Sequence, residues 1–136
     1  MILKDEDRRA LIENYINKSR ITIEKVQFLI ENNEFSLAVN RIYYGIYYSL
    51  SALSIKKEFK TSKHTQLIGW FNKTFVKEGI VDKRYGKLIR KAFENRMEGD
   101  YNVFFDFSKE EVEQSFGEMK EVIDEIQKLI QGNTEG

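Results

Sequence analysis

Three short stretches of this 136-residue chain hold most of the side chains able to do chemistry. The densest reads Asn40-Arg41-Ile42-Tyr43-Tyr44-Gly45-Ile46-Tyr47-Tyr48. On a helix, residues four apart share a face, so Tyr43 pairs with Tyr47, Tyr44 pairs with Tyr48, and the two faces adjoin. Arg41 falls one turn before Gly45, on the side of Tyr44 and Tyr48. Four phenols need hydrogen-bond partners if buried. Arg41 among them suits either a core helix, where a carboxylate would pair with it, or a helix that lines a site or faces a second copy. The second stretch holds His64, the only histidine, in Ser-Lys-His-Thr at an expected helix start. The positive end of a helix disfavours an imidazolium, which leaves a neutral ring able to accept a proton, and capping or packing uses the same position. The third runs from Asn95 to Tyr101, where Arg96, Asp100 and Tyr101 suit a guanidinium–carboxylate pair braced by a tyrosine.

Much other chemistry is excluded by composition. There is no cysteine, hence no disulfide scaffold and no thiol nucleophile, as suits a cytoplasmic chain. One histidine removes most metal sites: a di-iron bundle needs repeated Glu-x-x-His pairs, and Glu118, Glu121 and Glu125 have no histidine near them in sequence. No glycine-rich phosphate loop and no nucleophile–base–acid set can be read from spacing. Glu98 and Asp100 form a carboxylate pair of little specificity. We expect no metal and no cofactor. No apolar run is long enough to span a bilayer, and the first residues do not read as a signal peptide.

The net charge of zero conceals a separation. Residues 56–91 hold eleven Lys/Arg against three Asp/Glu, whereas residues 94–136 hold four against twelve. Such halves attract each other within one molecule, dock on a copy, present a positive face to phosphate, or are simply solvated helix faces. Lys83, Arg84 and Lys87 stand among Phe59, Trp70, Phe71, Phe75 and Tyr85, a mixture that suits phosphate contact and base stacking on single-stranded nucleic acid. Trp70, Phe71 and Phe75 at helical spacing suit a core equally well.

The elements that position these residues follow from periodicity. A first helix is expected from about Glu6 to Ile30, with Ile12, Ile16, Ser19, Ile23, Val26 and Ile30 in one seam. Asn33 is placed as N-cap of a second helix, Glu34 to Ile55, apolar or aromatic on most sides and so the most buried. Gly45 there gives up about 1 kcal/mol of helix propensity, a sign of close packing against another helix. After a basic connector, Lys56 to Thr61, a third helix starts near Ser62 and ends at Gly79 with Ile80 packing back. Asp82 caps a fourth that ends near Asn95, and Arg96 to Phe107 reads as a loop anchored by Tyr101, Phe104, Phe105 and Phe107. Ser108 and Glu111 form a capping box opening a fifth helix, seamed by Val112, Phe116, Met119, Ile123, Ile126 and Ile130. The first and last helices are expected to pack lengthwise with the second between them. The fold class is all-α: an up-and-down helical bundle of four to five helices forming one domain over residues 5–131, with a disordered tail at 132–136.

The pattern Ala-x-Asn-Arg-x-Tyr-Tyr-Gly (Ala38 to Gly45), then Lys63-His64, then Phe-Glu-x-Arg-x-x-x-Asp-Tyr (Phe93 to Tyr101), resembles the HEPN domain family, in particular its small standalone prokaryotic proteins. The likeness covers roughly Asp5 to Ile130. It implies a homodimer and a minimal nucleotidyltransferase as protein partner in a toxin–antitoxin-like module. In the family's ribonucleases a motif arginine steadies the phosphate, and a histidine shortly after it moves protons without metal. Arg96 matches the arginine, whereas Asp100 and Tyr101 stand where the histidine would fall, and a phenol of ordinary pKa about 10 is a poor base near neutrality. The resemblance therefore implies an accessory or non-catalytic member, with RNA or a nucleotide as ligand of Arg41, Tyr44, Tyr48, Asp100, Tyr101 and the Lys83, Arg84, Lys87 group. An endoribonuclease using Arg96 with His64, and a structural module binding protein through its acidic last helix, are the alternatives.

Overall fold

The computed structural model describes residues 4–102 and 105–132. Five α-helices carry the chain, α1 (Asp5–Glu31), α2 (Phe35–Lys56), α3 (His64–Phe71), α4 (Lys83–Tyr101) and α5 (Lys109–Gln131), with no strand among the described residues. This is the expected all-α bundle. The expected tail lies outside the described residues beyond Gly132, and so does Phe104.

α2 lies between α1 and α5 and makes most of its contacts with them, while α1 and α5 meet over less surface. The reason is written at Gly45. A side chain there would collide with the thioether end of Met119 from α5, with Thr22 of α1 also close by. The missing Cβ lets both neighbours approach, as its helix-weakening presence foretells. Ser19, the polar member of the α1 seam, is fully buried. Its hydroxyl donates to the Gly45 carbonyl at 2.8 Å and shares a second hydrogen bond with Ser49 at 2.9 Å, so its burial leaves no unmet demand.

Three boundaries differ from the sequence expectation. Asn33 is not a cap: it takes a left-handed φ of 60°, which asparagine tolerates, and the Glu34 N–H returns to the Leu29 carbonyl to close α1. α3 begins at His64 and continues as a π turn, Asn72–Val76, before Gly79 at φ +77°. Ile80 is 59% exposed rather than packed back, and Val81 takes the buried place, both N–H groups bonding the Phe75 carbonyl.

The third difference bears on the site. α4 does not stop at Asn95 but runs to Tyr101. Gly99 lies within this helix and lets Phe107 pack close: a Cβ there would lie 3.1 Å from that buried ring. Asn102 closes the last turn through its N–H to the Glu98 carbonyl and its side chain to the Glu98 carboxylate. Tyr101, 72% exposed, anchors nothing, and Phe105 is also exposed, so among the described residues Phe107 alone does the anchoring.

The other two predicted N-caps form. Asp82 accepts from the Arg84 N–H at 2.8 Å, and Ser108 and Glu111 close the reciprocal box. Ser108→Ala should cost about 1 kcal/mol in urea denaturation, with unchanged m-value. The opposite charges of the two halves meet within the molecule: Arg84 pairs with Glu121 at 2.8 Å, and Lys91 with Glu118 at 2.9 Å, joining α4 to α5.

Candidate functional site

Tyr43, fully buried at the middle of α2, shares a 2.6 Å hydrogen bond with Nδ1 of His64, the first residue of α3. The Tyr47 ring stacks on the imidazole at 4.4 Å between centroids, and Tyr44 meets it edge-on at 5.9 Å. Phe93 of α4 completes the surround at 6.4 Å. Tyr43 and Tyr47 share a helical face, and both reach the same imidazole.

One turn along α4 from Phe93, the Arg96 guanidinium lies over Tyr43, Tyr44 and Phe93 at 5.3, 5.5 and 5.6 Å. Arg96 and His64 therefore pack on the same three rings. The Arg96 side chain is only 11% exposed, and its donors are poorly met. Nη1 reaches the Tyr44 hydroxyl and the Asp100 carboxylate at 3.5 Å each, the outer limit of a hydrogen bond. Nη2 has the thioether of Met97, and the buried Nε has no partner. Asp100 is better served by Asn40, whose amide nitrogen donates to it at 3.0 and 3.3 Å. Asn40 in turn accepts from Arg41 at 2.8 and 2.9 Å, and Arg41 lies over the Tyr44 ring at 4.7 Å. The partner of Arg41 is thus an amide, not the carboxylate of a core pair.

Electrostatics sets the protonation states. Burial pushes His64 below its ordinary 6.5, and the Arg96 charge pushes the same way. Burial raises the Tyr43 phenol, which Arg96 only partly opposes, and also raises Tyr47. Near neutrality the cluster is a neutral imidazole between protonated phenols. Tyr43 and Nδ1 share that hydrogen bond, and a neutral ring carries its single proton on one nitrogen and accepts at the other.

Other expected site residues stand apart. Tyr48 touches Tyr44 at 6.1 Å but stacks on Tyr15 of α1. Tyr101 lies exposed at the end of α4. Lys83, Arg84 and Lys87 are nine to thirteen residues before Arg96 on the same helix, ~14–20 Å along its axis. They do not join the cluster. Conversely, Asn40, Tyr43, Tyr47 and Phe93 belong to it although only their place in the motifs drew attention to them. Among the described residues no three of His, Cys, Asp and Glu gather as metal ligands, and no helix is long and apolar enough to cross a membrane.

The HEPN domain profile matches residues 12–129, nearly all of the described bundle. The chain belongs to the HEPN domain family. Relatives of similar length agree. This HEPN protein is 35% identical over 125 residues to a UPF0332 protein of Thermotoga maritima, covering 92% of this chain and 95% of that one. It is 31% identical over 128 residues to a Methanocaldococcus jannaschii protein named "Putative toxin MJ0605", covering 94% and 95%. A second protein of that organism, "Putative toxin MJ0142", is 31% identical over 102 residues, covering 75% and 69%.

The HEPN cluster carries a pH signature. Unfolded His64 takes its proton near 6.5, whereas the folded ring takes it lower, so between those values the unfolded chain binds more protons. Stability should rise with pH through that window, and His64→Gln should flatten that part of the curve in thermal melts from pH 5 to 8.

Proposed function

We propose that this HEPN protein is the accessory, non-catalytic half of a toxin–antitoxin-like module: a homodimer that works with a minimal nucleotidyltransferase and holds a phosphate of RNA or a nucleotide at Arg96. The observation that carries this reading is the state of that guanidinium. A cation nearly removed from water, with one N–H unpaired and the others on poor or distant acceptors, is costly unless a ligand completes it. A phosphate offers two oxygens that the guanidinium fork can engage side by side. The neighbouring His64, a neutral ring packed on the same aromatics, adds a polar group beside the guanidinium. The names of the two Methanocaldococcus relatives support the toxin-associated setting. Exposed Ile21 and Phe28, which line a shallow depression with Leu29 and Arg41, support a protein-binding face.

The test is fluorescence anisotropy with a labelled single-stranded RNA. Wild-type protein is expected to bind, with affinity falling as salt rises, and Arg96→Ala to lose most of it. Equal binding by both proteins would remove Arg96 from the reading.

A specific observation keeps a second reading in view, that of a metal-independent endoribonuclease. Arg96 and His64, 32 positions apart, pack on the same rings, as a phosphate-stabilising cation and a proton carrier would. Against it stands the bond to Tyr43, which takes up Nδ1 and leaves Nε2 as the one ring nitrogen for a ribose 2′-hydroxyl.

A further inference from the structure

On the far side of Tyr47 from the Arg96 cluster, α1, the second half of α2 and the connector to α3 enclose a cavity of about 370 Å³, a volume within the range of small-molecule sites. Tyr15, Tyr47 and Phe59 form its aromatic walls. Two of these rings are fixed from behind: Tyr47 by the stacked imidazole of His64, and Phe59 by Trp70, parallel to within 6° at 5.1 Å. Buttressed rings are stacking surfaces set before a ligand arrives, so little ordering cost remains.

The polar groups narrow the ligand class. Ser51 and Ser54 line the cavity and are buried. Ser51 donates its proton to the Tyr47 carbonyl at 2.9 Å and Ser54 donates to the Ser51 carbonyl at 3.0 Å. Their protons are committed to the helix, and what they offer the cavity is oxygen lone pairs. A flat ring that carries N–H donors on its edge fits such walls and such acceptors. Amino-bearing nucleobases have that edge, whereas uracil presents mainly carbonyl oxygens. Arg8 and Glu58, 3.7 Å apart, also line the cavity as an ion pair, and Lys60 adds a positive charge to it.

We propose that this cavity is a nucleobase subsite that takes an amino-bearing base, stacked on the aromatic walls with its amino group on the Ser51 and Ser54 hydroxyls. The inference rests on the reading that this protein holds RNA or a nucleotide; Tyr47, with the imidazole stacked on it, stands between this cavity and Arg96. It goes further by making the protein base-selective.

Trp70, the only tryptophan, backs the Phe59 wall, so its indole N–H resonance reports on the cavity. The experiment titrates adenosine, uridine, adenosine 5′-monophosphate and ribose 5-phosphate into the full chain and follows that resonance. Adenosine should shift it and bind at least several-fold more tightly than uridine, and the monophosphate should bind more tightly still. Ser54→Val should weaken adenosine about 3- to 10-fold and leave uridine unchanged. Phe59→Leu should weaken adenosine about tenfold while the native spectrum is retained. Adenosine shifting the resonance, with RNA binding unchanged by Arg96→Ala, would support the base subsite and defeat the Arg96 reading. Ribose 5-phosphate binding through Arg96 without any shift from adenosine would do the reverse and overturn the subsite. Equal affinity for adenosine and uridine would overturn it too.

Discussion

Arg96→Ala is expected to weaken binding of single-stranded RNA about 10- to 100-fold while the bundle stays folded. The magnitude follows from the net loss of one charge-assisted hydrogen bond to phosphate, about 1.5–3 kcal/mol. Two companion results separate a binding role from a structural one. The pKa of His64, followed by NMR on the only imidazole in the chain, should rise toward its ordinary value once the guanidinium is gone. Burial is the larger cause of its depression, so the recovery should be partial. Arg96→Met should weaken binding to the same extent yet leave the protein as stable or more so, because a buried, poorly partnered cation is replaced by an apolar chain of similar length. Loss of stability together with binding in the methionine variant would mean that Arg96 holds the bundle together rather than waiting for a ligand.

The second large effect is on stability and tests the register of α2. Leu53 is fully buried, whereas Leu37, on the same helix, is 54% exposed. Leu53→Ala should cost about 2–5 kcal/mol, the usual range for truncating a buried leucine and leaving a cavity. Leu37→Ala should stay within about 0.5 kcal/mol. Chemical denaturation of the two variants makes the comparison directly. Similar costs at both positions would place α2 in a different rotation and move Tyr43 off the imidazole.

How much of this was legible in the sequence depended on whether the signal was local. The α1 and α5 seams, the Asp82 cap and the Ser108–Glu111 box each lie within a few turns of chain, and all appear where the pattern puts them. Gly45 announced close packing because its helical cost needed a reason, although nothing in the sequence could name Met119, 74 positions away, as its neighbour. The end of α4 was misread for the converse reason. The loop expected from Arg96 is helix as far as Tyr101, and the Phe107 ring that occupies the space beside Gly99 is a tertiary fact.

The site divides in the same way. The spacing of Tyr43 and Tyr47 gave them one face, and that face is the one His64 meets. That His64 and Arg96 share Tyr43, Tyr44 and Phe93 depends on how α3 and α4 cross α2, which no motif records. Charge content was the weaker guide. Lys83, Arg84 and Lys87 looked like part of a phosphate-binding face, but their distance along α4 separates them from Arg96, and Arg84 is engaged by Glu121 of α5. Where a charge is spent is decided by the neighbour that packing brings to it.

One measurement goes directly to the central claim, that this HEPN protein holds RNA phosphate at Arg96 without cutting it. A labelled single-stranded RNA pool is incubated with folded wild-type protein in EDTA, beside Arg96→Ala and His64→Ala, and each mixture is resolved on native and denaturing gels. The account predicts a wild-type shift on the native gel, its loss with Arg96→Ala, and intact RNA in every denaturing lane. Cleavage by the wild type that disappears in both variants would contradict it and make the Arg96–His64 pair an endoribonuclease centre.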